Sequence, residues 1–232
     1  MTRTIFSASV LSISVLLSAC GGSSDGGASN DPLSLLSFSG VKPTEVSVNQ
    51  KLDDAVELAY KLDEEDAIVR IERSKLPNSN IGVTGNIFVD LTNYSTSRVA
   101  VGDTSLNIDL ENNLLSGNAS NLVVSDVISS GTIANKDIEM SVDRIVYTTT
   151  GELTASGTID DNAVANFGYQ GRLAVFEGNK FIDNVTIDAD GGGGFASVEG
   201  NRVFFGALTS DVTADTATEL DVINAATIVW AK

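Results

Sequence analysis

Histidine is missing from this chain and cysteine occurs once, at position 20, so the chemistry open to it rests on 31 aspartates and glutamates. Without imidazole or a second thiol, Ser-His-Asp and Cys-His hydrolysis, His-ligated zinc, iron or haem, and internal disulfides all lack their atoms. Three acidic groups have a spacing that chemistry could use. Asp188-Ala-Asp190 runs into Gly191–Gly194, and alternating carboxylates in a glycine turn can wrap a hard cation such as calcium. The bidentate glutamate of an EF-hand is missing downstream, and a glycine hairpin loop between two strands is the reading the residues favour. Asp160-Asp161 could serve glycoside hydrolysis if set ~5–9 Å apart across a cleft, but the pair also suits a turn. The run Asp63-Glu64-Glu65-Asp66 reads as a solvated helix end. Phe204, Phe205 and Trp230 are expected in a core rather than around a ligand. No catalytic residue, cofactor or metal site is nominated.

The single thiol has a different context. Arg3 is followed by an uncharged apolar run from Ile5 to Ala19, and Leu17-Ser18-Ala19-Cys20 matches the lipobox of bacterial lipoproteins. The run is shorter than the ~20 apolar residues a spanning helix needs. The expectation is therefore a signal peptide over 1–19 and a mature chain that begins at a lipidated Cys20, whose partner is membrane lipid. Two or three acyl chains hold stably where one does not. Gly21, in place of the aspartate of an inner-membrane retention signal, favours the outer membrane.

Formal charge is −17, and loss of Arg3 with the signal takes it to −18. Such a field repels polyanions, so nucleic acid is not an expected partner.

The elements that would position these groups follow from pattern. Residues 21–31 are Gly/Ser-rich and form a tether with a root-mean-square span of roughly 18 Å. Lipidated Cys20 and tether are assigned to 20–48. From Asn49 to Asp66 apolar residues recur at helical spacing (Leu52, Ala55, Val56, Ala59, Leu62), with Asn49 as N-cap, and the helical preface is placed at 49–77. The three prolines stand at 32, 43 and 77, so residues 78–232 are free of a residue that paired strands exclude. There the period becomes two, as in Val83 to Leu91 and Thr104 to Leu110, with Asn112-Asn113 as a tight turn. Further strands are expected at Leu114–Val124, Ile138–Tyr147, Glu152–Ile159, Val164–Phe176, Phe181–Ala189, Phe195–Leu208 and Ala226–Trp230. A bulge is expected near Asp143-Arg144, where the alternation changes phase. Short strands joined by turns suit an up-and-down barrel or a sandwich. Apolar residues are expected inside, because a lipid-tethered chain gains nothing by inserting again and Trp230-Ala231-Lys232 lacks a terminal aromatic.

Three stretches carry a family resemblance: LPNSNIGVTGN at 76–86, GDTSLNIDLENNLLSGNASN at 102–121 and GNRVFFG at 200–206. They resemble the β-barrel domain of the transferrin-binding protein B family in its minimal single-barrel form. The resemblance implies a mainly β fold, an eight-stranded antiparallel β-barrel filled by side chains, preceded here by a short amphipathic helix. It departs after Gly206, where Ala-Leu-Thr-Ser follows without Glu-x-Gly-Gly. Full-length members have two lobes and long loops that grip a host iron carrier, and none of their contact residues maps onto this chain, so transferrin binding is not expected.

The functional expectation is a lipid-anchored, non-enzymatic binding module of the outer membrane, on its periplasmic face or the cell surface, with a protein or small ligand as partner. An accessory lipoprotein of envelope assembly, contacting through helix 49–66, is the alternative. A carboxylate-dependent glycan hydrolase ranks third.

Overall fold

The computed structural model describes residues 44–63, 68–92, 97–130, 139–198 and 200–232. Cys20, the tether and Glu64–Asp66 lie outside them. The described chain is mainly β. Its elements are helix α1 (Glu45–Asp63) and strands β1 (Ile68–Arg70), β2 (Ile81–Asp90), β3 (Arg98–Asp109), β4 (Leu114–Ser130), β5 (Glu139–Thr150), β6 (Glu152–Ile159), β7 (Val164–Glu177), β8 (Lys180–Val198), β9 (Asn201–Ala214) and β10 (Val222–Ala231).

The helix starts at Glu45 rather than Asn49. Thr44 is its cap: the Ser47 amide donates to Thr44 Oγ1 (3.2 Å), and the Thr44 amide donates to Ser47 Oγ (2.9 Å), a reciprocal box that satisfies two otherwise orphaned donors. Asn49 is thereby freed for a distant role, its Oδ1 accepting the Val142 amide of β5 at 2.7 Å. Val48 and Leu52, one turn apart, are both buried.

The strands form one antiparallel sheet that closes in a ring. Each of β2, β3 and β4 pairs with the next, β7, β8, β9 and β10 do likewise, and β10 returns to β2 with Thr227 opposite Val89 and Ala231 opposite Gly85. The seam continues to the last residue, where Thr84 and Lys232 exchange both backbone hydrogen bonds. Between β4 and β7, β5 and β6 run in line and share one position. They are separated by Gly151, whose φ of +114° only glycine adopts without strain. The bulge expected near Asp143 is present, since Arg144 faces Asp126 and Val142 faces Val127. A second falls at Val146. Strand β1 adds to β8 at Ala196–Val198, beyond the point where β7 begins.

One expectation is overturned here. Gly191–Gly194 is no hairpin loop: β8 runs through it without a break, paired with β7 on one side and β9 on the other. The turn falls at Gly200 (φ +80°), so Phe195 to Val198 belong to β8 and β9 starts only at Asn201. The physical reason is close approach: a Cβ on Gly193 would sit 2.3 Å from the Phe205 carbonyl oxygen. Glycine here allows two backbones to cross; it does not mark a break.

Inward positions make the main core. Phe167, Tyr169, Phe195 and Phe204 meet edge to face, with centroids 5.4–6.0 Å apart. Small residues opposite them make the room, and a Cβ on Gly206 would lie 2.5 Å from the Phe167 ring. The Tyr169 hydroxyl shares a 2.6 Å hydrogen bond with Thr104 Oγ1, which satisfies the polar atom in an apolar interior. Burial pushes that phenol up to about 12. The end of the ring nearest these aromatics is closed by the chain around Leu76, where Arg73 donates to the Leu110 carbonyl.

The outside carries a second apolar row. Val123, Val101, Phe88, Ile228 and Ala207 are direct cross-strand neighbours on β4, β3, β2, β10 and β9. The buried Val48 and Leu52 of α1 lie at its β5 end, together with Met140. The row continues through Phe205 and Val203 to Ala196 and Val198 beside β1. A 19-residue helix is about 28 Å long.

If Gly191–Gly194 is strand, Gly193→Ala forces two backbones apart and is expected to cost about 1–3 kcal/mol. At Gly82 a Cβ meets nothing within 4 Å, so Gly82→Ala is expected to be neutral or stabilising by up to about 1 kcal/mol. Urea denaturation of the two variants checks the contrast, and equal midpoints would argue against the crossing.

Candidate functional site: the roofed mouth of the ring

The two ends of the ring differ. Aromatic rings fill the end near β1, whereas the other narrows to a cavity of about 40 Å³. Its wall is aliphatic, with Val89 from β2 and Leu91 just beyond it, Leu122 and Val124 from β4, Leu173 and Val175 from β7, and Val185 and Ile187 from β8. Alternation puts these side chains inside, because each strand contributes residues two apart. Tyr147, Thr149 and Arg98 supply polar atoms.

A roof covers the mouth. It is the connection from β9 to β10, in which Thr218–Leu220 makes one 3-10 turn and Leu220 and Glu219 face the cavity. Asp183 ties it down. This aspartate occupies an inward position two residues before Val185, and it is 3% exposed. Its Oδ2 accepts the amides of Ala217 (2.6 Å) and Thr216 (2.7 Å) and the Thr216 hydroxyl (3.0 Å), while Oδ1 accepts the Asn184 amide (2.9 Å). Hydrogen bonds to the charged form, that of Ala217 foremost, hold its carboxyl below the usual range against the opposing effect of burial. Asp221 adds a second tie by accepting the Ala214 amide at 2.6 Å, and Arg172 pairs with Asp215.

The rim is charged on one side. Arg98 donates to Asp126 Oδ1 (2.9 Å) and lies over the Tyr147 ring, 5.5 Å from its centroid. The other oxygen of Asp126 accepts from Arg144 at 2.8 Å, so two guanidiniums share one carboxylate. Large apolar side chains stand exposed on strand ends near the mouth: Phe181 (50%) at the β7–β8 hairpin, edge to face with Phe176, and Ile223 (77%) at the start of β10.

The residues singled out by sequence lie elsewhere. Asp188 and Asp190 point outward from β8, and Asp188 accepts a hydrogen bond from Gln170 at 2.9 Å. Asp160 closes the β6–β7 turn by accepting the amides of Asn162 and Val164, each at 2.8 Å. Those bonds outweigh the upward push of burial and lower its carboxyl. Asp161 is exposed beside it. Among the described residues, no group of three or more His, Cys, Asp or Glu is arranged to hold a metal. Phe204 belongs to the interior stack, while Phe205 and Trp230 face outward, so none of the three lines the cavity. The roof and its latch are absent from the sequence reading, although one signal was there: Asp183 falls on the apolar phase of Asp183-x-Val185-x-Ile187-x-Ala189.

The latch sets a pH dependence. Because the folded pKa of Asp183 is depressed, its contribution is fully present above the unfolded value of about 3.9 and is lost as pH falls through the folded value. Amide exchange at Thr216 and Ala217 is expected to lose protection in that acid window. In Asp183→Ala those amides are expected to exchange on the order of tenfold faster already at neutral pH, with the Tyr169 amide unchanged. Hydrogen-exchange mass spectrometry or NMR reads both.

Compared with protein-family models, with curated proteins and with solved structures, the chain matches none.

Proposed function

We propose that this protein is a lipid-anchored, non-enzymatic binding module, held to the outer membrane by acyl groups on Cys20 and presenting the roofed mouth of its ring to a partner. With β5 and β6 sharing one position, we read the ring as the eight-stranded antiparallel barrel of the transferrin-binding protein B type, in single-barrel form. The observation that carries the reading is an apolar mouth left unfilled beneath a polar-latched roof, on a ring otherwise packed with side chains.

Two features support a ring standing in water at the end of a tether. Thr84, Ser105, Asn118, Thr154, Asn166 and Asp188 face outward and are exposed, where a membrane-spanning barrel carries an apolar band. The carboxylates at the hairpins are engaged as caps, with Asp109 accepting the amides of Glu111 and Asn112 just as Asp160 does in its turn. The assembly reading, with the helix as contact surface, is less favoured because Val48 and Leu52 of α1 already face the sheet.

Two measurements test the proposal. Cells fed radiolabelled palmitate are expected to label the wild-type chain, while Cys20→Ser carries no label and is released from membranes; an unlabelled wild type would remove the anchor. Immobilised protein is expected to capture a defined partner whose retention drops when Phe181→Asp and Ile223→Asp are combined. Capture insensitive to that double change would move the binding surface away from the mouth.

A further inference from the structure

The geometry points to a single linear aliphatic chain with an anionic head as the ligand of this mouth, taking the place that Leu220 of the roof now occupies. The inference deepens the binding-module reading and rests on it.

Size decides the class. Pockets for compact drug-sized ligands run to several hundred Å³, whereas the cavity under the roof measures about 40 Å³. A globular ligand would have to spread the strands, and a closed ring resists that. A chain one methylene wide needs only the width of a row of aliphatic side chains. The roof already shows what fits: Leu220, partly buried, reaches from the turn Thr218–Leu220 onto the interior core. Val89, Leu122, Leu173, Ile187 and Val212 wall the space below, and they offer dispersion contacts without a buried polar group that would need pairing. A largely aliphatic slot with a leucine as its stopper binds hydrocarbon by exchange: the stopper leaves and the tail enters.

The roof can leave because its hold is polar and local. Its ties run to Asp183 at the start of β8, from Asp215 to Arg172 of β7, and from Asp221 to Ala214 between the ends of its own strands, and they can break while the ring's ladders stay intact. Glu219 is part of the roof and departs with it. What stays at the rim is Arg98, which itself lines the cavity, with Arg144 on the carboxylate they share; Asp143 and Glu177 also act on Arg144, so the cationic contact offered to a head group is Arg98. An anionic head resting there keeps its water while the tail is buried.

The test uses the full-length lipidated protein in phosphatidylcholine vesicles and, as probe, dodecanoic acid with a diazirine near its terminal methyl. After irradiation, adducts are mapped by mass spectrometry. Adducts on the inward residues Leu173, Ile187 or Val212, removed by excess unlabelled dodecanoate, are expected, since the bilayer does not reach those positions. Leu220→Ala, which removes the stopper, is expected to raise the inward yield several-fold. Ala100→Leu, which fills the slot, is expected to cut it about tenfold with circular dichroism unchanged. Arg98→Gln is expected to lower the yield with the acid probe and not with the matching alcohol. Adducts confined to outward residues in both wild type and Leu220→Ala, or undiminished inward labelling in a folded Ala100→Leu, would overturn the inference. If a macromolecule is captured through the mouth while inward adducts stay absent, the aliphatic ligand is refuted and the binding-module reading stands.

Discussion

The pairing of β10 with β2 is the contact on which the rest of this molecule depends. Left apart, each of those strands would expose an edge of unpaired amides and carbonyls to other chains. Joined from Thr227–Val89 to the Thr84–Lys232 exchange at the last residue, they turn a meander into a ring and divide every strand into an inward and an outward set. Closure then imposes a volume constraint. A narrow ring has room for few large side chains at one height, so Phe167, Tyr169, Phe195 and Phe204 are matched by Gly193, Gly206, Ala165 and Ala189 on neighbouring positions.

That constraint is met fully at one end and partly at the other. Aromatic rings and the chain around Leu76 fill the end beside β1. Branched aliphatic residues line the far end and leave a void that the roof covers. The roof hangs on Asp183, a carboxylate placed where the strand pattern calls for an apolar residue, and its buried oxygens are satisfied almost entirely by main-chain amides. Such a latch is strong when intact and specific in geometry, yet it involves few apolar contacts. The mouth is thus the part of the ring best able to open without loss of the fold, and this is why a binding role is proposed there rather than at the outward acidic residues.

The outer apolar row explains a feature of the strands that a simple inside-outside scheme does not. Ile87-Phe88-Val89 and Val99-Ala100-Val101 are continuous runs because both faces are covered, the inner by the ring's own core and the outer, near its β5 end, by the first turns of α1. The helix is therefore part of the folded unit and no detached preface. Its capping box at Thr44 and Ser47 frees Asn49 to satisfy the Val142 amide of a strand that pairs with β7 only near its end.

Read alone, the sequence determined what local chemistry determines. The two-residue period after Pro77, the freedom from proline and the Asn112-Asn113 turn established antiparallel strands, and the missing histidine removed whole classes of reaction. The proposed export signal and the proposed lipidation of Cys20 rest on sequence throughout. Tertiary structure decided the matters that depend on which strand meets which. A run of four glycines reads locally as a loop, and it is strand because β7 and β9 hold it on both sides. Phe204 and Phe205 are chemically equal neighbours, and only the register of β9 against β8 sends one into the aromatic stack and the other onto the outer row. Asp183 became a latch because a segment more than thirty residues away in sequence folds back over it. Period two shows that neighbouring side chains part company, whereas the face that becomes the inside is fixed only when β10 closes on β2.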